Sequence, residues 1–321
     1  MLGGGRFSIR GCLWKPDRRR VKLCLAVLGL CLPLTGCLFR TRQVETRVSN
    51  AHLLTATSQE LTERITSNAQ QLRTLNATVD IDTSVGGAKK GKVTEYQEIR
   101  GYILVRAPNL LRMIGLMPVI RNHAFDMVSD GEEFKLWVPS SDKFYVGPSN
   151  AVPAGATGLA ALRPQIIYDA LLLNAISPGD DIAVLESGTE VFMDAKTHKQ
   201  VEQPDYRLDV IHRGDRGWHL ARKIYFDRVS LQPRRQRVYD ENGSITSESR
   251  YADWKPYGTI WFPSWIQIWR PQEEYQITLG IVKLTINQPL TDQQFALEQP
   301  PSAEIVHLNQ PPGAPPGPQS K

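Results

Sequence analysis

From Leu75 onward the chain alternates. Leu75, Ala77, Val79 and Ile81 interleave with Asn76, Thr78, Asp80 and Asp82. Successive side chains of a strand point to opposite faces, so this pattern describes a strand with one face buried. Strand character recurs over 96–106, 122–129, 133–138 and a shorter run around 143–146. It then continues over 182–187, 190–194, 206–212, 217–227, 234–240, 245–251, 259–269 and 274–286. Asp130-Gly131 and Asn242-Gly243 mark two-residue hairpins, because both central residues tolerate positive φ, and Gly214 to Gly217 marks another turn. Successive hairpins dictate an antiparallel sheet.

Two segments break the alternation with helical spacing. Residues 50–73 place Leu54, Leu61, Ile65 and Leu72 on one stripe among polar residues, which predicts an amphipathic helix packed on the sheet. Residues 163–174 carry Ile166, Ile167, Ala170, Leu171, Leu172 and Leu173, and Ser177-Pro178-Gly179 stops the segment. A short helix that is apolar nearly all round is itself covered or covers something else. The fold expected is mainly β: an incomplete antiparallel β-barrel of about ten or eleven strands, covered by one long and one short helix. A sheet curled around apolar helices encloses a hollow suited to a greasy ligand. Ile166, Ile167, Ala170, Leu171 and Leu173 are its expected lining or lid.

Ahead of this domain stands an export pattern. Arg18 to Arg20 and Lys22 precede an apolar run over 23–33, followed by Leu34-Thr35-Gly36-Cys37. A basic head, a short apolar middle, small residues and a cysteine make a signal peptide with a lipobox. The run is about eleven residues, where a helix spanning a bilayer needs roughly 20. Cys37 is the expected site of lipidation. Residues 1–36 are then a signal peptide, 37–49 a lipidated tether, 50–308 the folded domain, and 309–321 a disordered tail rich in Pro and Gly. Cys12, Cys24 and Cys31 fall before the cleavage point. The segment before Cys37 holds seven cations against Asp17 alone, so its removal takes the formal net charge from +5 to −1. No electrostatic case for a nucleic-acid partner survives.

The search for chemistry returns little. His52, His123, His198, His212, His219 and His307 show no metal-ligand spacing. His212 and His219 flank a turn and read as a strand-surface pair. Gly86, Gly91 and Lys92 have the spacing of a phosphate loop, but Val93 stands where Ser or Thr is needed and no helix follows, so 86–92 reads as a hairpin turn. No nucleophile elbow occurs. The expectation is a protein that is not an enzyme, with no metal and no cofactor. A loop connecting two strands is expected at 110–120, and it is unusually apolar: Leu110, Leu111, Met113, Ile114, Leu116, Met117, Val119 and Ile120 crowd around Gly115 and Pro118. Such a segment either folds under the sheet or meets a membrane.

The lipobox, the helix before the first strand, Gly101-Tyr102-Ile103-Leu104-Val105-Arg106-Ala107-Pro108 with Arg112 after it, and Val128-Ser129-Asp130-Gly131 occur in a telling order. Phe262-Pro263, Asn287-Gln288-Pro289-Leu290 and Phe295-Ala296-Leu297 close the series. In this order the chain resembles the LolA/LolB-like lipoprotein carriers and receptors. The resemblance implies an incomplete barrel with a helical lid and a cavity for the acyl chains of lipoproteins or related lipids. It also implies a protruding apolar loop that enters a membrane, and by position Leu116 and Met117 stand at its tip. The resulting expectation is a monomeric, lipid-anchored, periplasm-facing outer-membrane protein that takes acylated cargo, with a periplasmic carrier protein as a further expected partner. The alternatives are an envelope sensor with a protein partner, and a structural lipoprotein whose interior is filled by its own aromatics, Trp261 and Trp265 included.

Overall fold

The computed structural model describes residues 47–48, 52–119, 121–149, 163–193, 198 and 200–308. The lipobox with Cys37, nearly all of the tether and the 309–321 tail lie outside these residues. The chain divides into two compact units, 1–47 with 193–200 and 48–192 with 201–321. The second unit holds the fold described below.

After a two-residue strand β1 (Arg47–Val48), helix α1 (Ser58–Gln71) begins later than its apolar stripe suggests. A capping box fixes the start: the Thr57 hydroxyl accepts from the Glu60 N–H at 3.2 Å, and the Glu60 carboxylate accepts from the Thr57 N–H at 2.7 Å. Leu54 therefore precedes the helix, while Leu61 and Ile65 are buried on it. The strands follow as β2 (Thr74–Gly87), β3 (Lys92–Glu95), β4 (Ile99–Arg106), β5 (Leu110–Leu116), β6 (His123–Ser129), β7 (Glu133–Val138) and β8 (Lys143–Pro148). Helix α2 (Pro164–Leu172) separates these from β9 (Asp181–Met193), β10 (Gln200–Gly214), β11 (Gly217–Asp227) and β12 (Pro233–Tyr239). The series ends with β13 (Ile245–Tyr257), β14 (Ile260–Arg270), β15 (Tyr275–Ile286) and β16 (Glu304–His307).

Among the described residues these sixteen strands, more than the ten or eleven expected, make one sheet in the order β1-β10-β11-β12-β13-β14-β15-β2-β4-β5-β6-β7-β8-β16, with β9 added to β10 and β3 to β2. Its two ends do not pair with each other, so the barrel is incomplete. The described pairings between neighbours are antiparallel except β16 on β8, which is parallel. Long-range pairing of β15 with β2, from Ile286 opposite Leu75 to Tyr275 opposite Val85, joins the two halves of the chain.

The apolar connector is corrected here. Residues 110–116 are not a loop but strand β5, paired with β4 and β6. Leu111 and Met113 are buried on its inner face. Gly115 sits there because a Cβ would come 2.3 Å from the ring of buried Phe125. Gly is thus a packing residue in this strand rather than a loop marker.

Two apolar clusters fill the inner side. The larger joins Leu75, Ile103, Met113, Phe125, Leu136, Phe262 and Ile277 of the sheet to Ile167, Ala170 and Leu171 of α2. The smaller joins Leu61 and Ile65 of α1 to Leu208, Val210, Ile224 and Phe226 of β10 and β11. Neither Trp261 nor Trp265 fills the interior: Trp261 is 40% exposed, and Trp265 alternates with the buried Ile266 on the other face of β14.

The registers sort the turns into two ends. The turns 87–92, 117–122, 139–142, 214–217, 240–244 and 271–274 lie at one end of the strands, here called the tip end. The turns 107–109, 130–132, 228–232 and 258–259 lie at the other. Helix α1 lies over this second end, where the Leu54 N–H donates to Arg228 O at 2.7 Å and Thr259 Oγ1 donates to Gln71 Oε1 at 2.7 Å.

Candidate functional site

A groove of about 490 Å³ opens between α1 and the β13–β14 hairpin. Its size falls within the ~300–1,000 Å³ common for small-ligand sites. The apolar lining comes from three directions: Ile65 on α1, Leu173 just after α2, and Pro233, Trp254 and Trp261 on the sheet. Polar groups rim it, chiefly Glu60, Glu63, Arg64 and Ser67 on the outward turns of α1 and Gln232 and Thr259 opposite. The groove thus mixes polar groups with a few apolar side chains, a surface suited to an amphipathic ligand.

Local chemistry holds the walls. The Trp254 indole N–H donates to Pro233 O at 2.9 Å, which fixes the plane of the ring. Asn68 treats β14 as a strand partner: Nδ2 donates to Trp261 O at 3.2 Å, and the Trp261 N–H donates to Oδ1 at 3.1 Å. Asn287, in the left-handed region at φ 59°, closes the helix from below. Its Oδ1 accepts from the Arg73 N–H at 2.8 Å and its Nδ2 donates to Gln71 O at 2.8 Å. The free carbonyl and the incoming strand at the end of α1 are both satisfied by one side chain.

Helix α2 runs through the interior from the tip end towards the groove. At its start the Arg163 guanidinium donates to Glu273 Oε1 at 2.9 Å, and Arg270 donates to the same oxygen at 2.6 Å. Burial, then the neighbouring Arg163 charge, lower Arg270 to about 10 against the pull of Glu273. Midway, the Tyr168 hydroxyl donates to Pro108 O. Burial, reinforced by Asp169, pushes that hydroxyl up to about 12. After the helix, Arg222 donates to Asn174 O at 2.6 Å and to Ala175 O at 3.2 Å, holding the exit from Leu173.

The expected lining residues are therefore divided. Ile167, Ala170 and Leu171 pack in the main core with Ile166 half-buried beside them, while Leu173 is buried and reaches the groove. Helix α2 plugs the barrel, and the accessible space lies beside its end rather than beneath it. The expected loop tip is shifted: Leu116 is the last residue of β5, half-buried, while Met117 is 42% and Val119 98% exposed. Trp254 reads from the sequence only as apolar surface of a late strand, and Pro233 and Asn68 carry no sequence signal of a site. Only the three-dimensional meeting of α1 with the 258–259 turn brings them together.

The histidine pair behaves as a surface pair. His212 lies opposite His219 across the hairpin with ring centroids 5.9 Å apart, and His212 Nδ1 lies 2.8 Å from Asp181 Oδ1. Among the described residues no group of three His, Cys, Asp or Glu side chains is placed to hold a metal ion. The 86–92 turn does hold an anion, but its own: Glu274 Oε1 accepts from the Lys89 N–H at 2.5 Å and Oε2 from the Lys90 N–H at 3.0 Å.

No protein-family model matches the chain, and no curated protein matches it in sequence. Among solved structures the chain is similar to a LolA superfamily protein from Nitrosomonas europaea, at 14% identity and TM-score 0.46, covering 76% of this chain and 99% of that one. It is similar to a putative outer membrane lipoprotein-sorting protein domain from Vibrio parahaemolyticus, at 11% identity and TM-score 0.45, covering 74% and 97%. A DUF1329 family protein from Desulfovibrio piger is similar at 12% identity and TM-score 0.48, covering 74% and 95%. The likeness lies in the path of the chain.

Proposed function

We propose that this protein is a lipid-anchored envelope protein that binds an acyl chain of lipidated cargo in the groove between α1 and β13–β14. It holds the chain without covalent chemistry. The observation that carries this reading is the groove itself, where Ile65, Leu173, Trp254 and Trp261 meet under a polar rim. Each methylene removed from water there contributes roughly 0.8 kcal/mol. A groove open on one side removes only part of a chain from water, which favours release as well as capture. Cys37 anchors the chain in the outer membrane on the periplasmic side, a periplasmic carrier protein delivers the cargo, and the protein works as a monomer. The exposed Met117 and Val119 make a second contact with a membrane surface.

The test uses the mature chain, residues 37–321 with Cys37→Ser, titrated with a brominated fatty acid that quenches indole fluorescence. Saturable quenching is expected. Ser67→Trp, which fills the groove from the exposed face of α1, should weaken binding at least tenfold while the melting transition stays put. Unquenched fluorescence, or full binding by the Ser67→Trp chain, would sink the reading.

A further inference from the structure

The basic turn at 86–92 has no part in the groove, which lies at the opposite end of the strands. It is nevertheless built with care. The Gly86 N–H donates to Glu274 O at 2.7 Å, and the Glu274 side chain takes the Lys89 and Lys90 N–H groups. Glu274 is 9% exposed, so its carboxylate is spent inside the turn. Lys89 Nζ reaches Gln272 O at 3.3 Å. Lys90 and Lys92 point no ammonium at a described carboxylate, and neither does Lys89. Every residue from 88 to 98 is exposed, and β3 buries none of its four side chains. A pinned backbone thus presents three cations to solvent.

Apolar side chains share that end. Val93 is 59% and Tyr96 41% exposed on the same arm. Met117 and Val119 stand at the same end, since β4 separates β2 from β5 and Arg100 lies opposite Leu116. Arg121 is exposed beside them. The carboxylates of this end are set back or engaged. Asp82, Glu95 and Glu98 lie at the base of the arm, Glu273 bridges Arg163 and Arg270, and Glu241 pairs with Arg216. Asp142, Asp215 and Asp240 belong to turns of strands further along the sheet. Cations and protruding aliphatic side chains at one end of the strands match a bilayer surface, where the apolar groups enter and the ammonium groups meet phosphates.

We propose that the tip end is a docking surface for an anionic membrane, in which Lys89, Lys90 and Lys92 select acidic headgroups while Met117 and Val119 insert. This rests on the reading of the 117–119 tip as a membrane contact and adds the lipid class. The groove, at the far end, stays free to receive cargo while the tip is docked.

Co-sedimentation of the mature chain, residues 37–321 with Cys37→Ser and without the basic leader, with vesicles of phosphatidylcholine alone, or with about one-third phosphatidylglycerol, tests it. Binding to the anionic vesicles should be on the order of 10- to 100-fold tighter at about 0.1 M salt and lose that advantage near 1 M, where screening is nearly complete. Lys89→Gln/Lys90→Gln/Lys92→Gln should erase the preference but keep the weak binding to neutral vesicles. Val119→Asp should weaken binding to both kinds. Equal binding of the two vesicles by the native chain, or an undiminished preference in the triple lysine variant, would overturn the inference. Loss of fatty-acid binding with the vesicle preference intact would count against the groove alone.

Discussion

At the scale of single residues, Arg112 and Asp126 show what the motif arginine is for. Arg112 Nη2 donates to Asp126 Oδ2 at 2.7 Å and Nε to Oδ1 at 3.1 Å, a two-pronged pair with the carboxylate 2% exposed. Its third nitrogen reaches Gln294 O at 2.9 Å and so ties β5 to the closing segment. Removing one member of a buried pair strands the other, at about 3–5 kcal/mol. Asp126→Asn should lower unfolding stability by that order in denaturant titration, and Arg112→Met/Asp126→Leu should restore much of it. Glu248 offers a pH test. Burial would raise its carboxyl, but hydrogen bonds from Arg237 at 2.6 Å and Arg250 at 2.9 Å outweigh burial and hold it below the usual 4.5. A lowered native value means that its stabilisation is complete above the unfolded value near 4.5 and fades as pH falls through the native one. Native protein should lose stability below about pH 4.5, with a shallower slope in Glu248→Gln; identical slopes would contradict the assignment. Asn287 belonged to a recognisable motif, yet its job was hidden in the sequence, because the backbone groups it satisfies lie at 71–74.

At the scale of elements, legibility followed the source of each element's stability. Alternating strands such as β2 and the Asn242-Gly243 hairpin were plain, because period and turn chemistry are local. The existence of α1 was plain too, though its start depended on the Thr57–Glu60 capping box rather than on the apolar stripe. Strand β5 was hidden. Its Gly115 exists to leave room for Phe125, a partner in the next strand, and nothing nearby in sequence shows that need. Gly115→Ala should therefore cost roughly 1–3 kcal/mol by crowding. A denaturation midpoint unchanged from the native chain would mean that Phe125 can move aside. The role of α2 as a plug was likewise out of reach, since an apolar helix can line a space or fill it, and only packing against both β6 and β14 decides.

At the scale of the whole molecule, the antiparallel registers put two surface features at opposite ends of the strands. Helix α1, Asn287 and the groove gather at one end, and the lysine turn with the Met117–Val119 tip at the other. The sequence suggested a greasy hollow and a greasy tip but could not say that they point apart, because strand direction is set by pairings such as β15 on β2, some two hundred residues distant in the chain. The hollow itself moved: among the described residues Phe125, Ile167 and Leu171 pack in the interior, and a groove opens beside Leu173. Where an acyl chain lies is thus the central question. The most direct measurement is photo-crosslinking of a diazirine-bearing palmitate to the full chain, read by mass spectrometry. Adducts on Ile65, Trp254, Trp261 or Leu173 are the predicted result. Adducts on Phe125, Ile167 or Leu171, with the groove residues unlabelled, would contradict it.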